Sequence, residues 1–144
     1  MQIGVETSRA IENKRIFVVD DDEIIRAALQ FMLHDENETH EVPGLQPAFA
    51  KAAESKPDLI LLAVSIVQGE GVSVLSQIRE RIPGAKILVV ADSAKDEIAR
   101  QCLASGAHGV LAKPLTIESV REKVDVLLGR RVGFAIPLTV LKTP

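Results

Sequence analysis

The stretch Pro57-Asp58-Leu59-Ile60-Leu61-Leu62-Ala63 decides how this chain folds. It is an apolar run of strand length, entered through Pro-Asp and followed by a segment that contains Gly69 and Gly71. Such a run indicates a strand buried on both faces, as in a parallel sheet covered by helices, and we expect a loop after it. In an open α/β sheet the functional residues follow the carboxyl ends of the strands, and this strand carries only a methyl group, Ala63, to that place.

Strand and helix patterns alternate on both sides of this stretch. Further strands are predicted at residues 15–19, 39–42, 85–91 and 108–112. Helices are predicted to start at Asp21 or Asp22, at Pro47 with Phe49, Ala50, Ala52 and Ala53 inward, at Val72, at Asp92 or Ser93, and at Thr116. Five βα units in succession predict a doubly wound, flavodoxin-like (βα)5 sandwich with a parallel sheet in the order 2-1-3-4-5.

The composition limits the classes of protein to which the chain can belong. Its 144 residues suffice for one domain, and its net charge of −3 gives no basic surface for nucleic acid. The single cysteine, Cys102, cannot form an internal disulfide. No apolar run reaches the roughly 18 residues of a membrane span, and no signal peptide is evident. We therefore expect a cytoplasmic protein that binds neither nucleic acid nor membranes.

The chain divides into three predicted parts: a flexible lead at residues 1–13, a domain at 14–128 and a tail at 129–144. In the tail, apolar residues alternate with small ones, as in a strand with one apolar face: Val132, Phe134, Ile136, Leu138 and Val140. Pro137 would restrict this strand to a sheet edge. The tail packs on its own domain, or it docks on a partner or a second copy of the chain.

Charged residues follow two of the predicted strands. Asp20, Asp21 and Asp22 end the first strand, and Lys113-Pro114 follows the fifth. Both groups converge at one sheet edge if the first strand is central. Several carboxylates at one edge repel one another unless a cation is present, and either Mg²⁺ or Lys113 could supply that charge.

Five short motifs, spread over residues 14–128, together resemble the receiver domains of bacterial two-component response regulators. They are Val-Val-Asp-Asp-Asp at 18–22, Pro-Asp-Leu-Ile-Leu-Leu at 57–62, Gly71, Ala-Ser-Gly-Ala at 104–107 and Lys-Pro-Leu-Thr at 113–116. The resemblance implies that Asp20 and Asp21 match the acidic pair that binds Mg²⁺. It also implies that Lys113 matches the lysine that contacts the phosphoryl group, and that the Lys113–Pro114 peptide is cis.

The chain departs from this family at the residues that carry its chemistry. Ala63 stands where the family has its phosphoryl-accepting aspartate, and Ala91 stands where it has a Ser or Thr that senses the phosphoryl oxygen. Val110 replaces an aromatic residue that reports activation, and Val67 replaces a common proline. The joint loss at residues 63 and 91 favours a natural change over a laboratory substitution at Ala63 alone.

These departures lead to expectations about the pocket. Without a carboxylate nucleophile at Ala63 no aspartyl phosphate can form there, and Mg²⁺ binding should weaken. Lys113 is expected to form a partly buried pair with Asp20 or Asp21. Ser65 is expected to bond locally, and Asp92 is expected to cap a helix in preference to adding a carboxylate to the pocket.

The sequence therefore predicts a non-enzymatic regulatory protein of two-component signalling that does not depend on phosphorylation and requires no cofactor. By resemblance, residues 94–128 would contact a protein partner, and the tail at 130–144 could add to that contact or support a homodimer. The alternative function is the binding of a small ligand or metal in the vacated pocket, held by Asp20, Asp21 and Lys113.

Overall fold

The fold is a parallel sheet with helices on both sides, described by a computed structural model over residues 13–130. The strands are β1 (Lys14–Val19), β2 (Asn37–Val42), β3 (Leu59–Ala63), β4 (Lys86–Ala91) and β5 (Gly109–Ala112). The helices are α1 (Glu23–Leu33), α2 (Leu45–Glu54), α3 (Val64–Glu70), α4 (Val74–Arg81), α5 (Glu97–Ala104) and α6 (Ile117–Leu127).

The five strands are all parallel and follow the order β2-β1-β3-β4-β5. This order confirms the predicted doubly wound, flavodoxin-like fold. In such a sheet the chain reverses its direction of winding next to β1, so the carboxyl ends of β1 and β3 border a crevice. The fold therefore places the residues that follow these two strands beside one another.

β3 is the central strand, and it is buried along its whole length. Leu62 pairs with Val19 of β1 on one side and with Val89 of β4 on the other. Side chains of a strand alternate between faces, so Ile60 and Leu62 belong to the apolar core on one side of the sheet and Leu59 and Leu61 to the core on the other. One strand thus anchors both layers of helices.

Short polar residues fix where the helices begin. Asp22 caps α1, because its side chain accepts hydrogen bonds from the N–H groups of Ile24 and Ile25. Thr116 and Ser119 form a capping box at the start of α6, as the sequence predicted for Thr116. Such caps satisfy amide groups that lack a partner inside the helix.

The segment after β3 is a helix, α3, and the loop predicted there is wrong. The chain turns from Ala63 directly into helical geometry, and Ile66 and Val67 are buried against the core. Gly71 ends the helix with a φ of 98° and donates its N–H to the carbonyl oxygen of Val67 at 2.7 Å. Apolar burial outweighs the Gly69 signal, which by itself favours a loop.

Two other predicted helices begin elsewhere or face differently. α2 starts at Leu45, before Pro47, and it buries Ala48 with Phe49 while Ala50 and Ala53 are exposed. α5 starts at Glu97 and is capped by Asp96, so the predicted start at Asp92 or Ser93 is wrong. In both cases the predicted first residue can begin or cap a helix, but a different residue a few positions away fills that role in the structure.

The predicted lead and tail lie almost entirely outside the described residues. Within residues 13–130, no helix is long and apolar enough to cross a membrane.

Truncation of Leu62 tests the importance of β3. Because Leu62 is fully buried, we expect Leu62→Ala to lower the free energy of unfolding by about 2–5 kcal/mol through lost burial and a residual cavity. The matched control is Leu103→Ala at a half-exposed position, where a change of about 0.5 kcal/mol or less is expected. Urea unfolding of both variants provides the measurement, and equal effects would contradict this assignment of β3.

Candidate functional site

A small polar cavity of about 220 Å³ lies at the carboxyl ends of β1, β3 and β4 and beside Lys113, which follows β5. The residues that line it are Asp20, Asp21, Asp22, Ile25, Ala63, Val64, Ser65, Gln68, Val90, Asp92 and Lys113. The structure therefore brings together every charged residue that the sequence assigned to the pocket. We call this cavity the acidic pocket.

Asp20 is the buried carboxylate of the acidic pocket, with only 5% of its surface exposed. Its Oδ1 accepts a hydrogen bond from the backbone N–H of Asp22 at 2.8 Å. Burial raises the pKa of Asp20, and the neighbouring charges of Asp21 and Asp22 raise it further, while that N–H and Lys113 act in the opposite direction. The ionised form of Asp20 is therefore less favourable in the folded protein than in the unfolded chain.

Asp21 is held by a hydroxyl group from the other side of the crevice. The Ser65 Oγ donates a hydrogen bond to Oδ1 of Asp21 at 2.8 Å, although the two residues are 44 positions apart. Ser65 is the second residue of α3, so the helix that follows Ala63 directs this hydroxyl back across the crevice. The prediction of a local bond for Ser65 is wrong, since its partner follows a different strand.

Lys113 pairs with Asp92, and the predicted pair with Asp20 or Asp21 is wrong. The Lys113 Nζ lies 2.9 Å from Oδ1 of Asp92, and both side chains are substantially exposed, at 37% and 78%. Asp92 can reach the lysine because α5 begins five residues later and Asp96 caps it. Asp92 is therefore a pocket residue and not a helix cap.

Apolar side chains occupy the three positions that distinguish this chain from the receiver pattern. Ala63 lines the acidic pocket, and Ala91, at the end of β4, is completely buried. Val110 in β5 is half-buried and packs against the same apolar core as Ala91. The structure thus places methyl groups where an acceptor carboxylate, a hydroxyl and an aromatic ring would stand.

The Lys113–Pro114 peptide is cis, as the resemblance implied. Lys113 lines the acidic pocket, whereas Pro114 is exposed and is not part of its lining. Gln68 lines the pocket from α3 and was not foreseen from the sequence. The helical spacing of the buried residues Val64 and Val67 is the signal that could have placed Gln68 beside Ser65.

The described residues do not fit a Mg²⁺ ion well. A hard cation is held by several oxygen ligands, of which carboxylates are the strongest. Within residues 13–130 no group of three His, Cys, Asp or Glu side chains is arranged to hold a metal ion. Ala63, which lines the pocket, contributes no oxygen, so Asp20 and Asp21 are the carboxylates of the family's acidic site that remain.

A parallel sheet of this order, with carboxylates after β1 and a lysine after β5, defines an α/β protein of the receiver type. The model of the family described as "Response regulator receiver domain" matches residues 16–125. The chain therefore belongs to the response regulator receiver domain family.

Curated relatives agree with this assignment. The chain is 35% identical to the alkaline phosphatase synthesis transcriptional regulatory protein PhoP of Bacillus subtilis, over 90% of this chain and 54% of PhoP. It is 34% identical to a protein-glutamate methylesterase/protein-glutamine glutaminase of Methanospirillum hungatei, over 75% of this chain and 33% of that protein. The chain thus spans between a third and about half of these longer relatives. It is 28% identical to the chemotaxis protein CheY of Halobacterium salinarum, over 80% of this chain and 97% of CheY.

Solved structures show the same fold. A CheY-like receiver domain protein from Methanospirillum hungatei superimposes with a TM-score of 0.71 at 26% identity, over 81% of this chain and 94% of the other. A response regulator from Thermotoga maritima superimposes with a TM-score of 0.73 at 23% identity, over 81% and 98% of the two chains.

Replacement of Asp20 tests the electrostatics of the acidic pocket. The raised pKa of Asp20 means that ionisation destabilises the folded state, and this cost is absent below the unfolded pKa of 3.8 and complete above the folded pKa. We therefore expect Asp20→Asn, which keeps an oxygen for the Asp22 N–H, to raise the free energy of unfolding at pH 7.

Chemical unfolding at pH 7 and in acid is the measurement, and the gain from Asp20→Asn should shrink as the pH falls towards 3.8. Asp58→Asn is the control, because Asp58 is an exposed residue at the opposite end of β3. A loss of stability at pH 7 in Asp20→Asn would contradict the assigned cost.

Proposed function

We propose that this chain is a receiver domain that regulates through protein contacts and does not accept a phosphoryl group. The observation that carries the proposal is the position of Ala63, at the end of the central strand and in the lining of the acidic pocket. Formation of an aspartyl phosphate needs a carboxylate nucleophile, and an alanine methyl group cannot act as one. The chain would then be a pseudo-receiver.

The other carboxylates of the acidic pocket are poor substitutes for the missing acceptor. Asp20 is buried and accepts the Asp22 N–H, and Asp21 accepts the Ser65 hydroxyl. Each bond engages Oδ1 and draws electron density from its carboxylate, which makes that carboxylate a weaker nucleophile. Lys113 faces Asp92, so the cation that would steady an incoming phosphoryl group is already paired.

The surface formed by α5, β5 and α6 is the proposed partner contact, within residues 94–128. It exposes three large apolar side chains, Leu103, Ile117 and Val126, at 47%, 41% and 43%. Exposed apolar surface rimmed by charged residues is typical of protein interaction sites. A second copy of the chain is one partner that such a surface could bind.

Binding of a small ligand or metal in the acidic pocket is the alternative offered by the sequence. The described contacts do not favour it, because Asp20, Asp21 and Lys113 each have a partner within the protein. No nucleophile–base pair is evident in the acidic pocket, so we also propose that the chain is not an enzyme.

Acetyl phosphate tests the absence of phosphoryl transfer. We expect the wild-type chain, incubated with acetyl phosphate and Mg²⁺, to show no adduct of one phosphoryl group by intact mass spectrometry. Ala63→Asp restores a carboxylate at the end of β3 and is expected to gain a hydroxylamine-sensitive adduct.

The control for pocket disruption is Ala63→Asn, which has nearly the same shape as aspartate but no nucleophilic carboxylate. A stoichiometric, hydroxylamine-sensitive adduct on the wild-type chain would overturn the proposal. Modification of Ala63→Asp alone would identify the missing carboxylate as the cause.

Metal binding is tested by thermal unfolding with and without Mg²⁺. A ligand that binds only the folded state raises the midpoint of unfolding, by an amount set by its concentration relative to its Kd. We expect Mg²⁺ to raise the midpoint more for Ala63→Asp than for the wild-type chain, because a third carboxylate strengthens a hard-cation site. An equal or larger shift in the wild-type chain would favour the alternative function.

A further inference from the structure

His108, the residue before β5, ties the start of that strand to β4 through two hydrogen bonds. Its backbone N–H donates to the carbonyl oxygen of Ile87 at 2.8 Å. The backbone N–H of Ile87 donates in return to the ring atom Nδ1 of His108 at 2.9 Å. A ring nitrogen thus supplies the acceptor that a backbone carbonyl supplies elsewhere in a parallel ladder. We call this pair of bonds the His108 clamp.

The His108 clamp requires a neutral imidazole ring. In the neutral ring one nitrogen carries a proton and the other accepts a hydrogen bond, whereas in the protonated ring both nitrogens are donors. Because Nδ1 accepts the Ile87 N–H, the neutral ring must carry its proton on Nε2. A second proton, on Nδ1, would remove the acceptor and place two donors against each other.

The Ile87 amide has no water to replace the ring nitrogen. Ile87 is completely buried and belongs to the apolar core on one side of the sheet. A buried N–H group that loses its acceptor costs free energy comparable to a lost hydrogen bond. His108 itself is exposed, so a proton from solvent can reach its side chain. Protonation of the ring is therefore coupled to the separation of β5 from β4 at this end.

Two neighbouring cations disfavour a second proton on the ring. Burial of the ring lowers the pKa of His108, and the charges of Lys86 on β4 and Arg79 on α4 lower it further. The third element beside the ring is α6, whose Glu122 and Lys123 line a cavity of about 350 Å³ together with His108. That helix presents one charge of each sign to the cavity.

β5 is the strand of the sheet that a single lost bond affects most. It has four residues, Gly109–Ala112, and it lies at the edge of the described sheet, paired with β4. Segments with few buried contacts and short ladders open at a lower free energy than the core. The His108 clamp adds one rung to this short ladder, at the end where the strand begins.

We propose that the His108 clamp is a pH-sensitive switch, in which the neutral ring holds the start of β5 on β4 and the protonated ring releases it. A histidine whose pKa is lowered by folding leaves the clamp at full strength above the unfolded pKa of 6.5. The stabilisation then declines as the pH falls from 6.5 through the folded pKa. β5 belongs to the surface proposed for partner contact, but the switch does not depend on that function.

NMR measurements on the full-length chain test the switch. At about pH 7.5 we expect the ¹⁵N spectrum of the ring to show the proton on Nε2 and an acceptor at Nδ1. Between about pH 7.5 and pH 5, the hydrogen-exchange protection factor of the Ile87 amide should fall roughly three- to tenfold, the net contribution of one hydrogen bond. Amides of β1 should keep their protection. A proton on Nδ1 at pH 7.5, or protection of Ile87 that does not change with pH, would overturn the proposal.

Three variants separate the ring proton from other effects of acid. His108→Asn keeps an acceptor oxygen near the position of Nδ1 but cannot take up a proton, so Ile87 should stay protected at both pH values. His108→Leu has no acceptor, and protection of Ile87 should be low at both. His34→Asn is the matched control, because it removes a histidine after α1 and should leave the wild-type response to pH. A wild-type response in His108→Asn or His108→Leu would show that another group is responsible and would overturn the proposal.

Discussion

The burial of β3 between β1 and β4 is the constraint on which the rest of the structure depends. Each of its five side chains is removed from water, and both layers of helices pack on it. Burial of one large aliphatic side chain stabilises the fold by about 1.5–3 kcal/mol. A shift of β3 by one residue in register would exchange the side chains on its two faces and would lose much of this stabilisation. Its carboxyl end is therefore fixed in space, and with it the residue that it carries into the acidic pocket. None of this depends on whether that residue is aspartate or alanine.

The acidic pocket shows how like charges are accommodated once that carboxylate is absent. Asp20 is stabilised by a backbone N–H, Asp21 by the Ser65 hydroxyl and Lys113 by Asp92. Each of these groups has a partner within the protein, and Lys113 forms its ion pair with the exposed Asp92 while it still attracts the buried Asp20 at longer range. An exposed ion pair such as Lys113–Asp92 contributes little to the stability of the fold. Ionisation of the buried Asp20 carboxylate still costs free energy in the folded protein, and the raised pKa of Asp20 reflects this cost.

The sequence predicted the sheet order and the convergence of Asp20, Asp21 and Lys113, because strand periodicity identifies the strands and a parallel sheet brings their carboxyl ends to one edge. It failed where two local signals compete. The glycines after β3 led to the prediction of a loop, whereas burial of apolar side chains stabilises the helix α3 there. The choice between Asp92 and Asp96 as the cap of α5 also decided the partner of Lys113, and capping preference alone does not distinguish two aspartates four residues apart.

The same competition decides which contacts form in the acidic pocket. A helix that starts directly after Ala63 turns Ser65 towards Asp21, and a helix that starts late after β4 leaves Asp92 within reach of Lys113. Both features arise in the connections between elements, where the chain tolerates change better than in the core. The strands set where the charged groups meet, and the helix starts set which of them pair. The sheet therefore keeps the charged residues together, while the connections decide which contacts they form within the protein.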